Sequence, residues 1–216
     1  KLSSFFSARF PDPQVKSYRE FYDNTLRLLR SKDLDSFDLN KESSAMREKY
    51  GMGKFGQGCL LARRLVETGV RYVEVSTDGW DMHNNLESEL QDLSPAFDQA
   101  YAALISDLDD RGMLDDTLVV MATEFGRKPQ FNGNGRGHYP ICYSTVLAGG
   151  GVKRGFVHGS SDKEGAYPED PVTVHDLHAT IGWAAGLPMD KEVLTASGRP
   201  FVVGGAKAKP VMGLFA

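Results

Sequence analysis

Arg71-Tyr-Val-Glu-Val-Ser76 empties into Thr77-Asp-Gly-Trp-Asp-Met-His83, and Thr117-Leu-Val-Val-Met-Ala122 empties into Thr123-Glu-Phe-Gly-Arg127. Each couples a short apolar run, rich in β-branched residues, to a turn carrying glycine and acid, which predicts a strand followed by a loop. Helical patterns lie between and around the two. Strand, helix and strand in that order predict right-handed crossovers and an α/β fold with a mostly parallel sheet flanked by helices. Ligands in open sheets of this kind gather beyond the carboxyl ends of the strands. The two loops are therefore predicted to face one crevice.

Outward from these runs, the spacing of apolar residues predicts a helix over Val15 to Leu29, with Tyr18, Phe21, Tyr22, Thr25, Leu26 and Leu29 on its stripe. A polar connector, Ser31 to Ser44, follows it. A second helix spans Gly56 to Thr68 and stops at Gly69; a long amphipathic helix spans Asn84 to Asp110 and stops at Gly112. Cys142 to Leu147 is predicted as a third strand closed by Gly149-Gly-Gly151, Val172 to Ala185 as a helix, and Phe201 to Val203 as a short strand. Residues 1–50 read as an amino-terminal helical segment packing on the core, and 51–216 as the α/β body. Lys1-Leu-Ser-Ser opens without Met or a signal peptide and reads as the start of a piece of a longer polypeptide.

Composition narrows the function. The 216 residues are 41% hydrophobic and carry a net charge of −4 without long like-charge blocks, so no nucleic-acid-binding surface is advertised. No apolar run approaches the ~18 residues of a membrane span. The cysteines, Cys59 and Cys142, have no CxxC spacing and read as buried thiols.

Few residues are equipped for chemistry. Asp81 and His83 sit one residue apart on a loop leaving a strand, so both can reach one cation, and Asp78 lies in the same turn. The plainer alternative has Asp81 capping the long helix, a position for which Asn84 and Asn85 also compete. Glu124 follows the second strand. Arg127, three residues on, can pair with Glu124 or hold an anionic oxygen through its planar fork. His138 ends the glycine-rich stretch Asn132 to Gly137, with Arg136 beside it as another oxyanion holder. His158 sits in a loop; His175 and His178, three residues apart on a helix, can face one metal, but apart from the Asp176 between them no further acid lies nearby, and they read as a solvated or capping face. There is no G-x-S-x-G elbow, phosphate-binding Walker loop or dinucleotide fingerprint.

The stretch from Cys59 to Val75 resembles the bacterial DUF1501 family. So do Gly79-Trp-Asp-Met-His83, Glu124-Phe-Gly-Arg127, Gly135-Arg-Gly-His-Tyr-Pro140, Leu147-Ala-Gly-Gly-Gly151 and Asp176-Leu-His-Ala-Thr180. That family in turn resembles the alkaline phosphatase and sulfatase superfamily. The resemblance implies a three-layer, alkaline-phosphatase-like α/β fold, present here as its carboxyl-terminal half, with the nucleophile in an amino-terminal half of the same protein. It also implies a divalent metal (Zn, Ca, Mg or Mn) held by Asp81, His83, Glu124 and His138. Arg127 and Arg136 would serve catalysis on a small anionic ester or a sulfated or phosphorylated carbohydrate, in an exported protein. Many superfamily members have Asp-His-Gly where this chain has Glu124-Phe125-Gly126, and an aromatic ring cannot ligate. Either one metal suffices, another side chain substitutes, or the site is degenerate; the alternatives are a non-catalytic relative that binds a carbohydrate or anionic ligand, and a structural or interaction protein.

Overall fold

The computed structural model describes residues 12–205 and 207–216. The opening stretch 1–11, the start of the expected amino-terminal helical segment, lies outside the described residues. Two compact units divide the chain, Lys1–Ser76 and Thr77–Ala216.

In the first unit, helix α1 (Pro13–Leu29) begins where Asp12 accepts the Gln14 amide at 2.7 Å, with proline in its first turn. The polar connector coils into two 3-10 turns, Lys32–Phe37 and Leu39–Lys41. Helix α2 (Ser44–Tyr50) and helix α3 (Lys54–Glu67) pack together around Tyr50, Cys59 and Leu60, all buried. Their close approach requires Gly56, where a Cβ would lie 2.1 Å from the Tyr50 carbonyl. Burial pushes the Cys59 thiol up to about 11, so it packs as an inert apolar side chain. Arg63 is also buried; it holds Glu42 at 2.8 Å and Glu67 at 2.7 Å.

The second unit is built on helix α4 (Leu86–Asp110), whose Ala100, Ala103 and Leu108 are buried. Trp80 packs edge-on against Phe97, which stacks on Tyr101. Strands β1 (Val119–Met121) and β4 (Val146–Ala148) pair, as do β2 (Gly126–Arg127) and β3 (His138–Tyr139). Strands β5 (Ser160–Ser161) and β6 (Pro168–Glu169) form a third pair, and β7 (Glu192–Leu194) and β8 (Pro200–Val202) a fourth. Helix α5 (Val174–Ala184) starts at Thr173, whose hydroxyl accepts the Asp176 amide. Asp176 in turn accepts the Lys209 amide at 2.7 Å, which ties the carboxyl-terminal stretch to this helix. Among the described residues no helix is long and apolar enough to cross a membrane.

This corrects the expected fold. The described residues contain no three-layer, mostly parallel α/β sheet of the alkaline-phosphatase-like kind; they form helices and small antiparallel strand pairs. The decisive departure is Arg71 to Ser76, which forms no strand. Its period-two alternation is real, with Val73 and Val75 half-buried and Tyr72 and Glu74 exposed. That pattern is satisfied by packing Val75 onto α3 at Gly58, with no ladder partner. Among the described residues β1 pairs with β4, running antiparallel, and every strand pair is antiparallel. The third predicted strand starts later than Cys142, at Val146.

Candidate metal centre

One buried residue between two exposed ones shapes the first loop. Met82 is 2% exposed and anchors the turn, while Asp81 and His83 on either side face out. Its carbonyl accepts the Arg136 amide at 3.1 Å. Asn85, in the left-handed region with φ 51°, starts α4, and Leu86 N–H donates to the Asn134 carbonyl at 3.0 Å. Asn134 also donates its side-chain amide to Asn85 Oδ1 at 2.9 Å. The helix end is thus closed by the 132–137 loop, and Asp81 is not its cap.

That loop comes unusually near because of Gly135. A Cβ there would lie 2.0 Å from the His83 carbonyl oxygen and 2.6 Å from the Asn84 nitrogen. The loop turns tightly at Gly133 (φ 63°), with Asn132 and Gly135 bridged. It then feeds β3, whose register sets His138 directly across from Arg127. Cross-strand neighbours share a face, and both of these side chains reach the same carboxylate. Arg127 Nη2 donates to Asp81 Oδ1 at 2.7 Å and His138 Nε2 stands 2.8 Å from that oxygen. His83 Nε2 lies 3.1 Å from Asp81 Oδ1 and 3.0 Å from His138 Nε2.

The structure thus gathers Asp81, His83 and His138 into one set whose ligand atoms lie within 4.8 Å of one another, a set that could hold a metal ion. Glu124, exposed at a bend before β2, is not part of it. Arg127 is placed against Asp81 and ties the frame together, donating also to the Trp80 carbonyl at 2.8 Å and the Arg136 carbonyl at 3.1 Å. The Arg136 guanidinium lies 4.6 Å from the centre of the Phe131 ring. His158 stands 3.8 Å from Asp170, away from the cluster, and His175 and His178 are exposed on α5. Phe125 stacks on His138 with ring centres 4.2 Å apart. It serves as a shelf for the imidazole. Neither this role nor the anchoring by Met82 and Gly135 is signalled by ligand spacing; an apolar residue between two ligands and a glycine run before a histidine are the only traces.

Hydrogen bonds alone do not satisfy the triangle. Each Nε2 carries either a proton or a lone pair. If both donate to Asp81, two N–H groups face each other across 3.0 Å. If one is bare, its lone pair faces the carboxylate's. A cation accepts all three lone pairs at once, so the donor set fits a metal.

The Arg127 guanidinium, with His138 beside it, holds the Asp81 carboxyl down to about 2. A carboxyl depressed in this way contributes stability above its unfolded value of ~3.9 and loses it as pH falls through the folded one. Comparison of the native protein with Asp81→Asn by denaturant unfolding is expected to show a difference that shrinks as pH falls below ~4. A difference that persists undiminished at pH ~2 would assign the effect to another group.

The DUF1501 family model, described as a protein of unknown function, matches residues 1–215. No curated protein and no solved structure matches the chain.

Proposed function

This chain belongs to the DUF1501 family, and from its own geometry we propose that it is a metal-dependent hydrolase of phosphate or sulfate esters. The Asp81–His83–His138 triangle carries the reading. A divalent ion bound there would supply Lewis-acid polarisation of an ester oxygen and ease proton loss from the attacking oxygen. Asp81, His83 and His138 would hold it. Phe125 stacks on the His138 imidazole, Gly135 lets its loop approach the His83 backbone, and Arg127 fixes the carboxylate. Arg136, free of a carboxylate partner among the described ion pairs and braced on Phe131, is the residue suited to a substrate oxyanion. The substrate class is a small anionic ester, including a sulfated or phosphorylated carbohydrate.

One observation favours a second reading. Arg127 already neutralises Asp81, so the cluster can also serve as an ion-free clasp between loops. Metal content separates the two. The protein loaded with Zn or Mn and dialysed is expected to retain one ion per chain, and His83→Ala or His138→Ala to retain none by elemental analysis. A loss of a first-coordination ligand lowers affinity by at least the ~10–100-fold typical of outer-shell partners. Equal retention by the variants would leave only the clasp.

A further inference from the structure

The glycine-rich loop repeats one dipeptide, Asn132-Gly133 and Asn134-Gly135, and the fold treats the two copies differently. Asparagine is chemically labile, and glycine after it leaves the backbone nitrogen unshielded by a β-carbon and free to turn towards the side-chain carbonyl. Whether the two react depends on what else holds them. In the second copy they are held. Asn134 Nδ2 donates to Asn85 Oδ1 at 2.9 Å, the Asn134 carbonyl accepts the Leu86 amide at 3.0 Å, and the Gly135 N–H donates to the Asn132 carbonyl at 3.3 Å. Gly135 is also buried, without room for a β-carbon beside the His83 carbonyl. In the first copy both residues are exposed, and a β-carbon at Gly133 would meet nothing within 4 Å. Among the described hydrogen bonds none engages the Asn132 side chain or the Gly133 N–H.

We propose that Asn132 is a site of spontaneous deamidation, a self-modification that the fold permits there and suppresses at Asn134. The Gly133 amide nitrogen gives its proton to solvent base and bonds to Asn132 Cγ. The Cγ–Nδ2 bond breaks, and the amide group takes a proton from solvent and leaves as ammonia, closing a cyclic imide. Water then cleaves the imide. Attack at Cγ restores the backbone and leaves aspartate; attack at the backbone carbonyl carbon leaves isoaspartate, with the chain now running through Cγ. Nothing is oxidised or reduced, and water is the only co-reactant. Either product adds a negative charge to the loop, and isoaspartate also inserts a methylene into its backbone. Asn132 is bridged to Gly135, so that insertion acts on the segment that brings Arg136 N to the Met82 carbonyl. The inference does not depend on what the loop binds.

The full chain, incubated at mildly alkaline pH in water enriched in heavy oxygen and then mapped peptide by peptide by tandem mass spectrometry, tests this. Heavy oxygen is expected to enter at position 132 at least ~10-fold faster than at 134, because several hydrogen bonds must open before the second copy can react. The rate at 132 is expected to rise with pH, since the attacking nitrogen must lose its proton. In urea, where the loop's contacts are gone, the two rates are expected to converge. Asn132→Gln, whose longer side chain closes a larger ring slowly, is expected to take up no label at 132. No label at 132 in the folded chain, or uptake at 134 as fast as at 132, would overturn the proposal. So would a preference for 132 that persists unchanged in urea, since neighbours in sequence rather than the fold would then set it.

Discussion

Gly135→Val is expected to abolish metal retention and to destabilise the second unit. Any β-carbon at this position falls 2.0 Å from the His83 carbonyl oxygen and 2.6 Å from the Asn84 nitrogen. Both obstacles are backbone, so no rotamer change relieves the clash. The loop must withdraw, and with it go the bonds from Arg136 N to Met82 O, Leu86 N to Asn134 O, and Asn134 Nδ2 to Asn85 Oδ1. Overpacking costs ~1–3 kcal/mol, and each lost hydrogen bond adds ~1 kcal/mol. His138 lies three residues beyond the clash, so its nitrogen leaves the 3.0 Å contact with His83. Elemental analysis and denaturant melts of Gly135→Ala and Gly135→Val report both effects. Full ion uptake by the valine variant would mean that the loop is not what sets the two histidines together.

Glu42→Ala is expected to destabilise the first unit by ~3 kcal/mol or more. Removing one partner of a buried ion pair costs ~3–5 kcal/mol because the other charge remains in the interior. The Arg63 side chain is 1% exposed, and Glu42 is the acid it shares with Arg64. Glu67 still reaches Arg63 at 2.7 Å, which places the loss at the lower end of that range. Burial by itself raises the Glu42 carboxyl, but bonds from Arg63 and Arg64 outweigh it and hold the group below its usual value. Its contribution is therefore present above the unfolded value of ~4.3 and is lost as pH falls through the lower folded one. Urea melts of Glu42→Ala, and of Glu42→Leu combined with Arg63→Met, test the account. The double replacement is expected to recover part of the loss, since apolar residues substitute well for a buried pair. No destabilisation in the single variant would show that Arg63 does not depend on Glu42.

Helices were legible because their signals are local. The stripe from Leu86 to Leu108 and the glycines that end the helices depend on spacing and backbone freedom within a few residues. Gly69 follows α3 with φ 92° and Gly112 follows α4 with φ 67°, each where a left-handed residue is wanted. The sheet was not legible in the same way. Arg71 to Ser76 carries the alternation of a strand, yet a strand exists only where a partner supplies the other half of its ladder, and no local pattern names that partner. The ligand set was partly legible. Asp81 and His83 share a loop, so their spacing bears on one ion; Glu124 has the same chemistry but projects elsewhere, which spacing cannot reveal.

The sequence by itself determined which segments coil into helices, where they stop, and which few side chains hold lone pairs suited to a cation, because propensity and donor chemistry belong to single residues and their neighbours. Tertiary structure alone decided that strands pair antiparallel in twos, that Phe125 shelves His138, and that Arg127 turns onto Asp81. The last of these rests on a contact across 46 residues of chain. The close approach of the two histidine-bearing loops rests on the absence of a side chain at Gly135, which lets one backbone touch another.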